Sequence, residues 1–226
     1  MDKQILLFYG MLALAVLLTR IPYAGRFLRV SGTLFHEAGH VLVALLLGQK
    51  VKSVSLFEDL SGEAVTAGSK GWGRFWVALA GYPFASFAAW FVFYLLHHGE
   101  AMFVLMAFAL LAFIFLVLYV RNGFGVFWCL TIITLTAAVL YYFNAEIQYG
   151  YALVLAMLLL ADSTISPFVL LVIAFQNPGR AGDASNLRKM TGLPELFWAA
   201  VFMIISAWFT YRVLADFFPF LNNWLS

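Results

Sequence analysis

Seven long apolar runs, separated by short polar breaks, restrict this chain to one kind of architecture. They fall at about Ile5–Thr19, Val30–Leu47, Phe75–Leu96, Met102–Val120, Phe124–Phe143, Tyr149–Phe175 and Leu196–Leu214. A bilayer is crossed by about 20 helical residues. Lipid offers no partner to a free peptide group, so each run must close its own hydrogen bonds as a helix. Composition agrees, with 64% of the 226 residues hydrophobic and 11% charged, against about 25% charged in a soluble domain. The runs are apolar on every side, whereas a membrane β-barrel alternates apolar and polar residues over about 10 positions per strand. The expectation is an all-α polytopic membrane protein, with about seven transmembrane helices embedded in a lipid bilayer. No repeat or linker interrupts it, so residues 1–226 read as a single integral membrane domain.

Two stretches differ in kind. Val51–Ala67 alternates apolar and polar residues on both sides of Asp59-Leu60-Ser61-Gly62, which predicts a β-hairpin over about 51–67. Gln176–Pro194, with Asn177-Pro178-Gly179 and Gly182-Asp183, reads as a polar loop with room for one short helix. Nine lysines and arginines fall on the side of the N-terminus, from Lys3, Lys50 and Lys52 through to Arg188 and Lys189. Four fall on the other side, namely Arg20, Arg26, Arg29 and Arg212. That bias puts the N-terminus, the hairpin and the polar loop in the cytoplasm.

The net charge of +2, with no basic block, gives no footing for nucleic-acid binding. Cys129, the one cysteine, stands in an apolar run and reads as a small buried side chain. The first run is followed by Arg20 with no small-residue cleavage site, which suits an uncleaved first helix. With no targeting extension ahead of it, the expected location is a prokaryotic cytoplasmic membrane.

Against this apolar background, chemistry concentrates in Phe35-His36-Glu37-Ala38-Gly39-His40-Val41, an HExxH sequence inside the second run. Residues four apart share one helix face, so both imidazoles reach one ion. Neutral imidazole suits Zn²⁺, and the intervening glutamate is placed to act as general base toward water that the metal acidifies. Each charged group at mid-bilayer costs on the order of 3 kcal/mol, which a purely structural role leaves uncompensated. His36 and His40 are therefore the candidate zinc ligands and Glu37 the candidate general base.

Catalytic zinc takes a third protein ligand. Asp162, in Leu160-Ala161-Asp162-Ser163 of the sixth run, is an intramembrane carboxylate and so a functional candidate. At ~1.5 Å per residue, Asp162 lies ~21 Å from Gln176, and His36 and His40 lie ~20 Å and ~14 Å from Gln49. One depth thus suits all three, and Asp162 is favoured. The alternative is Asp183 in the polar loop, whose place before Ala184-Ser185-Asn186-Leu187 also suits a helix N-cap.

Several pieces in order resemble the site-2 protease group of membrane metallopeptidases, in particular the M50B-like branch of peptidase family M50. They are Thr33-Leu34-Phe35-His36-Glu37-Ala38-Gly39-His40, the hairpin end Ser61-Gly62-Glu63-Ala64-Val65-Thr66, and Leu79-Ala80-Gly81-Tyr82-Pro83-Phe84-Ala85-Ser86. The last runs from Gly182-Asp183-Ala184 through Thr191-Gly192-Leu193-Pro194 to Trp198. Together they cover most of the chain, and HExxH is the one that is specific by itself. The resemblance implies zinc-dependent hydrolysis of a peptide bond in transmembrane protein substrates, with an aspartate as third ligand.

Two departures matter. The chain lacks the usual Leu-Asp-Gly, which leaves that aspartate open between Asp162 and Asp183. Ser86 stands where an asparagine often helps to hold substrate or intermediate, so the oxyanion has no assigned donor. Gly81 and Pro83 loosen the third helix, and the hairpin edge offers room for an added strand. The competing readings are a non-catalytic metal-binding membrane protein, such as a transporter or assembly factor, and a helix-binding scaffold.

Overall fold

The computed structural model describes residues 10, 13, 17, 21, 24–58, 62–67 and 71–218. Among them, seven helices and a two-stranded sheet follow in the order α1 Ala24–Leu46, β1 Lys50–Leu56, β2 Gly62–Ala67, α2 Trp72–His97, α3 Ala101–Leu118, α4 Gly123–Tyr142, α5 Ala145–Gln176, α6 Gly182–Thr191 and α7 Glu195–Phe217. Five of the helices, α2, α3, α4, α5 and α7, are long and apolar enough to cross a bilayer, which fits a multi-pass membrane protein. They coincide within a few residues with the last five apolar runs. The run at Val30–Leu47 is α1, which is long enough but carries Arg29, Thr33, His36, Glu37 and His40 and is not among the five. The first run, Ile5–Thr19, lies almost wholly outside the described residues. Of the seven expected spans, five qualify among the described residues.

Local chemistry accounts for the ends of several helices. Asn144 caps α5 by accepting from the Ile147 N–H at 3.1 Å, one of the amides that a helix start leaves without a partner. The 32 residues of α5 run about 48 Å at ~1.5 Å each. That exceeds a hydrocarbon core of about 30 Å, so α5 tilts or projects beyond it. It continues through Pro167. α6 stops at Gly192, which takes the left-handed conformation (φ 78°) and donates its N–H to Arg188 O, and Pro194 then bars continuation.

Lipid tails are as apolar as leucine, so close packing rather than expulsion of water holds such helices together. Three apolar clusters do this. Phe93, Leu105, Phe108 and Leu158 join α2, α3 and α5, with Ala85, Ala89 and Ala156 allowing the backbones to approach. Val30, Leu34, Val54, Leu56 and Trp128 join α1, the hairpin and α4, and Cys129 is buried there without a disulfide partner. Ala78, Leu170, Leu187 and Phe202 join α2, α5, α6 and α7. Phe35 sits in the first cluster, and Leu34 and Ala38 in the second. α1 is thus wedged between two packed layers, and its polar side turns toward α2 and α6.

The hairpin forms where alternation predicted it, with Val54 opposite Ala64 and Leu56 opposite Gly62 in an antiparallel pair. Of its turn, residues 59–61 lie outside the described residues. The outer edge of β1 is already engaged. Val54 N–H donates to Tyr119 O at 2.9 Å, and Asn122 accepts from Leu56 N–H at 3.1 Å while donating to Leu56 O at 2.5 Å. Peptide groups of an antiparallel pair point alternately in and out. Since Val54 donates outward, its partner Ala64, with Gly62 and Thr66 two residues to either side, directs its N–H out along the free edge of β2.

Removing Asn122 tests this stitch. Leu56 is fully buried, and Asn122→Ala leaves both of its peptide groups unpaired at about 1–3 kcal/mol each. The variant is expected to melt at lower temperature in detergent, followed by tryptophan fluorescence; an unchanged midpoint would show that the contact is dispensable.

Candidate metal centre

His36 and His40 stand one turn apart on the polar side of α1. His40 Nδ1 is 2.6 Å from the Val77 carbonyl of α2. A carbonyl can only accept, so Nδ1 carries the proton and the Nε2 lone pair is left free for a cation. That Nε2 lies 3.0 Å from His36 Nε2. The His36 ring is enclosed by α2. A Cβ on Gly81 would collide with it, and the Tyr82 ring meets it edge to face at 4.4 Å between centroids.

The third group comes from α6. This helix starts at Gly182 behind the N-cap Ala181, so Asp183 lies in the first turn and is not the cap that its sequence context suggested. Its carboxylate turns inward instead, with Oδ2 3.2 Å from both His36 Nε2 and His40 Nε2. Burial pushes the Asp183 carboxyl up, yet His40 and His36 beside it hold it below the ordinary carboxylate range. Tetrahedral zinc with bonds of about 2.0–2.1 Å sets its donors about 3.3 Å apart, and two imidazoles with one carboxylate is a set that catalytic zinc uses. The side chains present fit such an ion.

Asp162 is not part of this trio. It reaches the same cavity, as its depth on α5 suggested, but Oδ1 accepts from Arg29 Nε at 2.7 Å. Arg29 also approaches Ser166 Oγ at 3.5 Å. The carboxylate fills the notch beside Gly32, where a Cβ would overlap it.

Glu37 is 3% exposed and its Oε2 has no hydrogen-bond partner among the described residues. It lies within reach of the Ala64 N–H, and Gly62 leaves room for it, since a Cβ there would strike its Oε1. The cavity shared by these groups measures about 650 Å³ and is walled by α1, β2, α2, α5 and α6.

Sequence reasoning missed what holds α6 in place. Glu195, buried at the start of α7, accepts from Gly179 N–H at 3.0 and 2.8 Å and from Arg188 at 3.3 Å. Trp198 Nε1 donates to Thr191 Oγ1 at 3.1 Å. A glutamate after a proline at a helix start reads locally as a complement to the helix dipole, and nothing nearby signals its reach back to residue 179.

A family model described as Peptidase M50B-like matches residues 9–213. No curated protein and no solved structure matches the chain significantly.

Glu195→Ala deprives the Gly179 amide of its acceptor and releases α6 from α7. Loss of about 1–3 kcal/mol is expected to raise amide exchange over residues 179–191 by roughly tenfold or more, read by mass spectrometry. Unchanged exchange would place the anchor elsewhere.

Proposed function

The chain belongs to the Peptidase M50B-like family, and from that membership we propose that it is an intramembrane zinc metallopeptidase acting on transmembrane proteins. The observation that carries this reading is the approach of His36 Nε2, His40 Nε2 and Asp183 Oδ2 to within 3.2 Å of one another inside an apolar bundle. We assign these three as the zinc ligands. Asp162 belongs to the cavity wall beside them, neutralised by Arg29.

Zinc held by this set supplies a Lewis acid that polarises a carbonyl and acidifies water. The chain's own residues do the rest. Glu37, with Oε2 unengaged, takes a proton from the attacking water and returns it to the leaving amine. Gly62 and Thr66 line the cavity along the outer edge of β2, on either side of Ala64, whose N–H lies within reach of Glu37, and an unwound substrate segment gains backbone partners there by strand addition. Val77 O keeps His40 in the tautomer that leaves Nε2 available.

The same reading orients the protein. Hydrogen bonds join the hairpin to the α3–α4 turn, and α6 packs against the first turns of α2. These parts share one end of the bundle with Lys50, Lys52, Arg121, Arg180 and Lys189. At the far end Arg29 is neutralised by Asp162 and Arg212 by Asp216. Among the described side chains, the unneutralised lysines and arginines then lie mainly on the hairpin side, which we take as cytoplasmic.

The test is metal content and cleavage together, on detergent-purified full chain. Wild type is expected to hold about one zinc, with His36→Ala and Asp183→Ala losing it and Asp162→Ala retaining it. Retention without Asp183 and loss without Asp162 would reverse the ligand assignment. Glu37→Gln should keep zinc and lose cleavage by roughly 100-fold or more. Stoichiometric zinc in a wild type that cleaves no transmembrane substrate would favour the non-catalytic metal-binding reading.

A second prediction concerns β2. Thr66→Pro removes an outward N–H without breaking the ladder to β1, and is expected to slow cleavage of a transmembrane substrate more than that of a short peptide. Equal effects on both would argue against strand addition.

A further inference from the structure

Hydrolysis of a peptide bond is speeded by a hydrogen-bond donor at the oxygen where negative charge builds, in addition to any metal, and Ser86 does not supply one. It is buried, and its hydroxyl donates to Tyr82 O of its own helix at 2.9 Å. Ser163 in the cavity wall is engaged in the same way, with Leu160 O at 3.1 Å. Resting on the metallopeptidase reading, we propose that Tyr82 is the missing donor, its phenol O–H bonding the carbonyl oxygen of the peptide under attack.

Position supports this first. Tyr82 lines the cavity and follows Gly81, the residue whose missing Cβ lets α2 close on His36. Its ring meets the His36 imidazole at 4.4 Å on one side and Phe202 at 4.9 Å on another. An aromatic side chain with two torsions, clasped between two rings, stays in place during the reaction at little entropic cost.

Surroundings support it next. Asp183, Asp162 and Glu37 line the same cavity as Tyr82. Tyr82 therefore shares that space with one proposed ligand, the cavity-wall carboxylate and the general base. Among the described residues, no side chain or carbonyl is hydrogen-bonded to the Tyr82 hydroxyl. A neutral phenol both donates and accepts, so this one has a proton to offer and no competing bond to break first. Its donation strengthens as the carbonyl oxygen becomes anionic, which is the differential binding that lowers a barrier.

Asn186 is the rival. It follows Asp183 by three residues on α6, lines the same cavity and carries an amide donor. Its position is exposed, and no ring or metal-site group holds its side chain. Tyr82 is held against His36 itself.

The experiment uses zinc-loaded full-length wild type, Tyr82→Phe and Asn186→Ala in detergent, with two probes. One is an apolar hexapeptide of leucine and alanine; the other is the same peptide with a phosphinate replacing the central amide. The phosphinate oxygens imitate the tetrahedral oxyanion, whereas the amide imitates the ground state. Tyr82→Phe is expected to keep its zinc and its affinity for the amide, and to lose about 100-fold in affinity for the phosphinate. Turnover of the amide should fall by a similar factor in kcat, with KM moving less than about threefold.

Equal phosphinate affinity in Tyr82→Phe and wild type would overturn the assignment, as would a loss confined to Asn186→Ala. A zinc-loaded wild type that fails to prefer phosphinate over amide would sink the metallopeptidase reading, and the Tyr82 proposal with it. Those two failures are told apart by wild type alone.

Discussion

An ionisable side chain inside an apolar bundle has to meet a counter-charge, a hydrogen-bond donor or a metal, because lipid supplies none of them. That constraint organises this molecule. Arg29 and Asp162 satisfy one another at 2.7 Å. Glu195 takes two bonds from one backbone amide and a third from Arg188. The two imidazoles and Asp183 turn on one another. Among the described residues, Glu37 Oε2 is the buried carboxylate oxygen left over. In a structure that pairs its other buried charges so consistently, a bare carboxylate oxygen beside a metal-shaped cluster points to chemistry rather than to support.

The cluster joins two parts of different character. His36 and His40 sit on a helix wedged between two packed layers, where neighbouring side chains fix its rotation. Asp183 sits on ten residues of helix outside the spans, tied to α7 by Glu195 and by the Trp198–Thr191 bond. A cation bound at the centre would draw those parts together, so on the proposed reading metal binding and docking of α6 are linked equilibria. The anchor at Glu195 reduces the ordering that such a metal would have to impose on α6.

Much of this was legible in the chain because it is local. Apolar runs of membrane length, the alternation of 51–67 and the four-residue spacing of His36 and His40 each need only a short window. What escaped is non-local. Depth along α5 suits the place of Asp162 in the cavity wall, but depth carries no information about which neighbour faces it. Arg29 lies seven residues before His36, two turns along the same side of α1, and that is where Asp162 finds its partner. A count of flanking charges had treated Arg29 as a marker of orientation. Asp183 was hidden by a local pattern that also fits a cap, and a helix start at Gly182 turned it inward. Glu195 acts on a residue sixteen positions back, which no window around it reveals.

Space is the remaining constraint, and it ties the glycines to the chemistry. Gly32 on α1 makes room for Asp162, Gly62 on β2 for Glu37, and Gly81 on α2 for His36. Each absent Cβ lies on a different element from the group it admits. The three contacts therefore help to set how closely α1 approaches α5, β2 and α2. Small residues are a general means of close helix approach in lipid, and Gly39 on α1 serves that way against the α2 backbone at Ala80, but at these three positions the gaps are filled by polar groups. The elements close until the functional side chains themselves set the separation, so a methyl group at any of the three positions acts on the chemistry directly. Rigid packing in the surrounding clusters then transmits that separation to the metal site, because a close-packed interior has little slack in which to absorb it.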